Sequence, residues 1–289
     1  MLLSKFYEYL NLPDKTYLGS RVAKKQLIEN SQLTSADKKA VQEDIEAIVW
    51  RNTLKNTTVN ISPYHESVES SASSEDKDSD SDSDVLESFI LEYNEIAVIE
   101  VTIRSTKRAK KIAELIQRAI PYPLFIVLHL KHVTEENEPS ITLNLATKRL
   151  SKADHSKLKV ERFYQSPALT IEQLTSGSIE ETFLKSLTVE KQSFVNFYEF
   201  YMGWVKQFLA LEKSKHTNDF SESESQSVDI EQAKLQANVL DSIASLEAKL
   251  SGIRQKIKQE GQINRKVELN IQAQKTKQQL QELKAELTS

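Results

Sequence analysis

The chain has 289 residues, a net charge of −4 and 39% hydrophobic content, enough for one substantial core plus an appendage. It contains no cysteine, which removes disulfides, thiol catalysis and zinc ribbons, and five glycines with no GxxxxGKS/T or GxGxxG phosphate loop. The start MLLSKFYEYLNLPDK is not a signal peptide and the longest apolar run, near 121–130, is too short for a bilayer, so a cytoplasmic chain with no membrane contact is expected.

The charge is unevenly spread. Residues 66–87 carry nine acids against Lys77, a net −8, so the remainder of the chain carries +4 of the total −4. A mildly basic body is compatible with weak nucleic-acid binding without requiring it.

In chain order, residues 1–12 read as a short helix with Leu3, Phe6, Tyr7 and Leu10 on one face, stopped by Pro13. A second short helix spans Lys24 to Glu29. Thr34-Ser35-Ala36-Asp37 opens a third, with a hydroxyl at the cap, an acid in the first turn, and Val41, Ile45 and Ile48 inward. The pattern turns to β at Ile48-Val49-Trp50 and again at Thr57 to Ile61. Residues 62–87 end in SSEDKDSDSDSD and are too charged and apolar-poor to repay ordering, so they read as a disordered acidic insert. Ser73 and Ser74, followed by acids, could attract an acid-directed kinase.

Two strands follow, Phe89–Leu91 and Ile96–Ile103; in the second, Ile99, Val101 and Ile103 share one face and Glu100 and Thr102 the other. Thr106 opens a helix to Ala119, and Leu124–Leu130 is a nearly continuous apolar strand suited to a sheet centre. A helix between two strands implies a parallel β-α-β crossover. Ile141–Ala146 and Leu158–Phe163 alternate and add two antiparallel strands. From Ile179 to Leu211 the pattern is helical, and aromatic and aliphatic residues from Phe194 to Leu211 surround the helix, so it must be buried on several sides. Residues 213–228 read as a Ser/Glu-rich linker.

The last stretch, 229–289, has the clearest periodicity. Leu235, Val239, Ile243, Leu246, Leu250, Ile253 and Ile257 recur every three or four residues, and the pattern resumes at Leu269, Ala273, Thr276, Leu280, Leu283 and Leu287. Between them, Gly261 can close one helix through the left-handed region and Asn264 can cap the next. Two antiparallel helices in a coiled-coil hairpin result. The expected architecture is α+β: a 1–175 domain with a mixed sheet, β-α-β crossover and flanking helices, a buried helical segment at 176–212, the linker, and the C-terminal hairpin.

Candidate chemistry is sparse. Histidines at 65, 129, 132, 155 and 216 are scattered, and His129 and His132 point to opposite strand faces, so no metal or cofactor is expected. The order helix, strand, strand, strand, helix, strand over 36–130 is that of a restriction-endonuclease-like core. Such a nuclease needs an acid on one strand and Glu-x-Lys on the next to hold Mg²⁺. Here Glu100-Val101-Thr102 lacks the lysine; Lys107 or Lys110 would have to substitute, with Glu92 or Glu95 as the other acid. Lys107, Arg108, Lys110 and Lys111 could contact phosphates, as could the second basic run of Lys148, Arg149, Lys152, Lys157 and Lys159. At the hairpin tip, Asn264, Arg265, Lys266, Glu268 and Asn270 form a polar group that packing does not need, and are candidates for partner binding.

The runs INRKVELN, AIPYPLFIVL and IVWRNTLKNTTVNI, with LNLP near the start, resemble the bacterial family named domain of unknown function 4391 over most of the chain. The insert at 62–87, the linker at 213–228, and Ile263 in place of a common aromatic depart from the family pattern. The family has no established activity; its members tend to be encoded beside DNA methyltransferases and helicases of restriction-like defence operons. The resemblance therefore implies a non-enzymatic accessory or adaptor subunit that docks a larger enzyme, a helicase or methyltransferase, through the hairpin. The alternatives are a Mg²⁺-dependent nuclease using Glu95, Glu100 and Lys107, or a DNA-binding module.

Overall fold

The computed structural model describes residues 2–29, 33–67, 90–131, 138–151, 154–220 and 230–287. Nine α-helices, two short 3-10 turns (Asp14–Thr16 and Val189–Lys191) and nine strands are formed among them. The strands are β1 (Tyr17–Arg21), β2 (Ile45–Lys55), β3 (Tyr64–Ser67), β4 (Ile90–Tyr93), β5 (Glu95–Ile103), β6 (Leu124–Leu130), β7 (Ser140–Ser151), β8 (Asp154–Gln165) and β9 (Leu169–Thr170). The helices are α1 (Leu2–Leu10), α2 (Lys24–Glu29), α3 (Ser35–Asp44), α4 (Asn56–Val59), α5 (Ala109–Ala119), α6 (Ile179–Ser186), α7 (Phe197–Thr217), α8 (Ile230–Gln259) and α9 (Ile263–Glu286).

All the strands join one mixed sheet in the order β1-β2-β5-β6-β7-β4-β3, with β8 and β9 also pairing β7. The β5–α5–β6 unit is the expected crossover, with β5 and β6 parallel from Ala97↔Leu124 to Ile103↔Leu130. The alternation of β5 divides the interior. Ala97, Ile99, Val101 and Ile103 pack with α5, Val41 of α3 and Leu27 of α2 on one face. Ile96 and Val98 pack with α1, α6 and α7 on the other. The sheet thus lies between two helical layers.

Helix α7 explains its all-round apolar sequence by its position. Phe200, Tyr201, Trp204 and Phe208 lie in the core between sheet, α6 and α8. The Tyr201 hydroxyl donates to the Leu124 carbonyl at 2.7 Å and accepts from the Ala146 amide at 2.9 Å, linking the helix to β6 and β7. Trp204 donates its indole N–H to the Leu187 carbonyl at 2.8 Å. These polar ends are satisfied inside an otherwise apolar layer.

The C-terminal helices pack together as an antiparallel pair, with Leu250, Ile253, Thr276 and Leu280 buried in the seam and Lys284 2.7 Å from Glu247 across it. The base of the pair is part of the main core. Ala233, Ala237, Leu240 and Ile243 of α8 join the cluster that contains α7. Arg162 of β8 adds an ion pair to Asp241 at 2.5 Å and a hydrogen bond to the Ala237 carbonyl.

Several local expectations change. Thr57–Val59 form α4, not a strand: the Thr58 hydroxyl accepts from the Lys55 amide at 2.8 Å, and Asn60 ends the turn in the left-handed region at φ 56°. Ile45 and Ile48 belong to β2, because α3 stops at Asp44. The first residues of the expected insert are ordered: Tyr64–Ser67 pair with β4, and Ser62 bridges to Asn196. Residues 68–87 and the two serines within them lie outside the described residues. The expected linker starts late, since α7 runs through Thr217 and ends on left-handed Asn218. The tip of the hairpin is capped at Gln262, leaving Asn264 inside α9, and Gly261 is not among the residues with positive φ.

Candidate functional site

Three places carry chemistry. The first is on the α1 side of the sheet. The register of β2 against β5 jumps between Trp50↔Ile99 and Asn52↔Val98, which leaves Arg51 as an extra, bulged residue. A bulge turns successive side chains to one face. Trp50 packs on the α5 side. Arg51 and Asn52 both face the α1 side of the sheet, where Asn52 donates to Oγ1 of Thr16, in the 3-10 turn after α1, at 2.8 Å. Arg51 pairs with Glu100 Oε2 at 3.2 Å, and its guanidinium stacks 3.7 Å from the centre of the Tyr7 ring. The Tyr7 hydroxyl donates to the same Glu100 oxygen at 3.1 Å. Burial, then the Glu100 charge, raises the Tyr7 pKa well above its ordinary value. A second ring, Tyr17, lies 5.6 Å from the guanidinium. It folds over Gly19, whose φ of 62° and missing Cβ leave room for the phenol. Half-buried His129 belongs to the same side; burial lowers its pKa while Glu100 opposes.

The nuclease residues are not gathered there. Glu95 begins β5 on the α5 side and pairs with Lys55 at 3.4 Å. Glu100 lies five positions further on the opposite face, roughly 16 Å along the strand. Lys107 precedes α5 and is exposed, on the face away from Glu100. Glu92 accepts from Asn94 at 2.5 Å beyond the start of β5. Among the described residues, no three histidine or acidic side chains converge on a metal-sized site.

The second place is the edge where β5 and β6 end. The basic run before and within α5 divides in two. Arg108 is held by Asp44 at 2.5 Å and Glu43 at 3.3 Å, and Lys111 by Asp37 at 3.0 Å. Asp37 is itself the N3 residue of the α3 capping box, and its hydrogen bonds from Lys111 and Thr34 lower its pKa. Lys107 and Lys110 are exposed and make no ion pair among the described residues. In the second basic run, Lys148 is buried and donates to the Ile120 and Tyr122 carbonyls at 2.9 and 2.6 Å. Arg149 pairs with Glu161 at 3.3 Å. Lys152 and the side chain of Lys157 lie outside the described residues.

The third place is the hairpin tip. Ile263, Val267 and Ile271 are 79%, 53% and 51% exposed. Spacings of four residues put them on one helix face, turned away from the seam formed by Leu269, Thr276 and Leu280. Asn264, Arg265, Lys266, Glu268 and Asn270 surround them and are all exposed; Asn270 donates to the Lys266 carbonyl at 2.9 Å. Arg265 and Glu268 also line a shallow cleft with Lys256, Glu260 and Leu269.

The sequence profile described as Domain of unknown function (DUF4391) matches residues 10–71 and 85–280. The chain belongs to the DUF4391 family. No curated protein and no solved structure matches it.

The sequence of this DUF4391 chain offers Glu100 and the tip residues as candidates but does not show the groups that surround them. Tyr7 and Arg51 lie 93 and 49 residues from Glu100, and no local motif joins them. The exposed stripe was visible as Ile263, Val267 and Ile271 at i, i+4 and i+8, outside the seam positions. No described helix of this DUF4391 protein is long and apolar enough to cross a membrane.

Proposed function

We propose that this DUF4391 protein is a cytoplasmic, non-enzymatic accessory or adaptor subunit of a bacterial restriction-like defence system, docking a larger DNA-processing enzyme through α9. The observation that supports this reading is the exposed stripe of Ile263, Val267 and Ile271. Single exposed aliphatic residues are ordinary, but three in register on one helix form a contiguous apolar patch, the usual mark of a protein contact. Asn264, Arg265, Lys266, Glu268 and Asn270 supply the polar rim that such contacts have. The class of partner, a helicase or methyltransferase, rests on the neighbourhood in which family members are encoded. The test is affinity purification of the tagged chain from its native cells, with Val267→Asp/Ile271→Asp as the comparison. Both positions are more than half exposed, so the double variant keeps its fold. Co-purification of a helicase or methyltransferase with the wild type, and its loss in the variant, is expected. Equal recovery with both chains would remove the stripe as the docking element.

A further inference from the structure

We propose that the sheet edge built on Arg21, Lys24 and Arg104 binds the phosphate backbone of a nucleic acid. Arg21 is the last residue of β1, Lys24 the first of α2, and Arg104 follows the end of β5. Topology brings these three segments to one place. Arg104 donates to the Glu43 carbonyl at 2.6 Å and the Ile45 carbonyl at 3.1 Å. Lys24 donates to the same Ile45 carbonyl and to that of Gln42 at 3.4 Å. Two donors on one oxygen keep the charged heads within about 6 Å of each other.

Carbonyl oxygens orient Lys24 and Arg104 without cancelling their charge. None of the three forms an ion pair among the described residues, and the acid whose charge reaches Lys24 is Glu46. The lowered pKa of Lys24, caused by burial and then by Arg104 and Arg21, agrees with cations held together. Beside them, Lys107 and Lys110 are the exposed, unpaired members of the α5 run, and the first turn of α5 contains no acid. The helix dipole adds positive potential at that end. The edge also lies at the carboxyl ends of the two parallel strands, where ligands of open α/β sheets sit.

The distribution favours a polyanion over a single phosphate group. The cations come from two stretches, 21–24 and 104–110, and line an open edge. A backbone with regularly spaced phosphates can meet several of them at once. The site is separate from the hairpin stripe and does not depend on the adaptor reading.

Fluorescence anisotropy of the full chain with a short labelled duplex, over a salt series, tests this. With three to five phosphate contacts the log–log slope against salt is about −2.7 to −4.5, roughly a 40- to 500-fold loss of affinity between about 50 and 200 mM. Arg21→Gln and the pair Lys107→Gln/Lys110→Gln change exposed side chains without carbonyl or acid partners among the described residues, so they keep the fold. Each lost contact is expected to make the slope shallower by about 1. Arg104→Gln is expected to do the same, with circular dichroism checking its fold. Lys256→Gln/Lys258→Gln on α8 should leave the slope unchanged. Absence of binding at low salt, or a slope indifferent to the edge variants, would overturn the proposal. So would thermal stabilisation by inorganic pyrophosphate with no duplex binding, which would assign the edge to a small phosphate ligand.

Discussion

Arg51 reaches Glu100, 3.2 Å away, because an extra residue in β2 rotates it to the α1 side of the sheet. The same carboxylate oxygen accepts from Tyr7, so α1, β2 and β5 are tied at one point. The side chains of Arg51 and Glu100 are 31% and 15% exposed, which makes this more than a surface pair. Removing one partner leaves a charge without its hydrogen bonds in a partly dry place. Glu100→Gln should cost about 1–3 kcal/mol in urea unfolding, and Tyr7→Phe about 1 kcal/mol. A double-mutant cycle on Arg51 and Glu100 should give a coupling above about 0.5 kcal/mol. Strict additivity would show that the contact is not made in solution.

The same geometry bears on cleavage. Glu95 and Glu100 face opposite sides of β5, and Glu100 is already occupied by Arg51 and Tyr7. With Mg²⁺ or Mn²⁺ the purified chain should leave DNA and RNA intact. Cleavage that Glu100→Ala abolishes would replace the adaptor reading by a nuclease.

Lys148 gives a pH-dependent signature. It is buried, its donors meet only carbonyls, and burial holds its pKa well below the ordinary lysine value. Its folded pKa is therefore lower than its unfolded one, near 10.4. The cost of burying the charge is fully present below the folded pKa and disappears as pH rises to the unfolded value. Wild type should gain stability relative to Lys148→Met as pH climbs towards about 10, by at most about 1.4 kcal/mol per unit for one proton. A pH-independent difference would show that Lys148 is solvated.

The pairing of β3 and β4 makes a further prediction. Ser67 lies opposite Ile90, so the chain leaves and re-enters the sheet at neighbouring positions. Replacing 68–89 by Asn-Gly should close a tight hairpin, since that dipeptide adopts the turn that matches strand twist. The change in stability should stay within about 1 kcal/mol. A large loss of melting temperature would assign the segment a structural role.

Much of this architecture was legible because burial imposes a period. The one-sided alternation of β5, the apolar run of β6 and the seams of α8 and α9 each follow from which face is dry. What escaped was set by other forces. Thr57–Val59 have strand-forming side chains, yet the Thr58 hydroxyl and left-handed Asn60 make a helical turn there. Strand β1 is exposed throughout, so it has no burial pattern to read. The bulge at Arg51 depends on a register between strands, and the cations of the edge meet only through the topology.

The C-terminal pair gives the last prediction, and the docking of its base divides it into two regimes. Leu250 and Leu280 are 7% and 9% exposed and lie in the seam between α8 and α9, where the core cluster runs out from α7 towards the tip. Ile243 is 0% exposed and belongs to the core that holds Phe208 and Leu240 around α7. Aspartate at any of these positions puts an unpaired carboxylate in a dry site, at a cost of several kcal/mol. At Leu250 or Leu280 that cost falls on the helix pair, which should fray from the tip while the sheet and α7 remain folded. At Ile243 it falls on the shared core, so the main unfolding transition itself should move. Circular dichroism should show a partial loss of helicity for Leu250→Asp with a nearly unchanged melting temperature for the body. Ile243→Asp should instead lower that temperature by roughly 10 °C or more, since about 1 kcal/mol shifts a larger domain by 2–4 °C. Equal melting temperatures for Ile243→Asp and Leu250→Asp would mean that α8 does not share the core of α7 in solution.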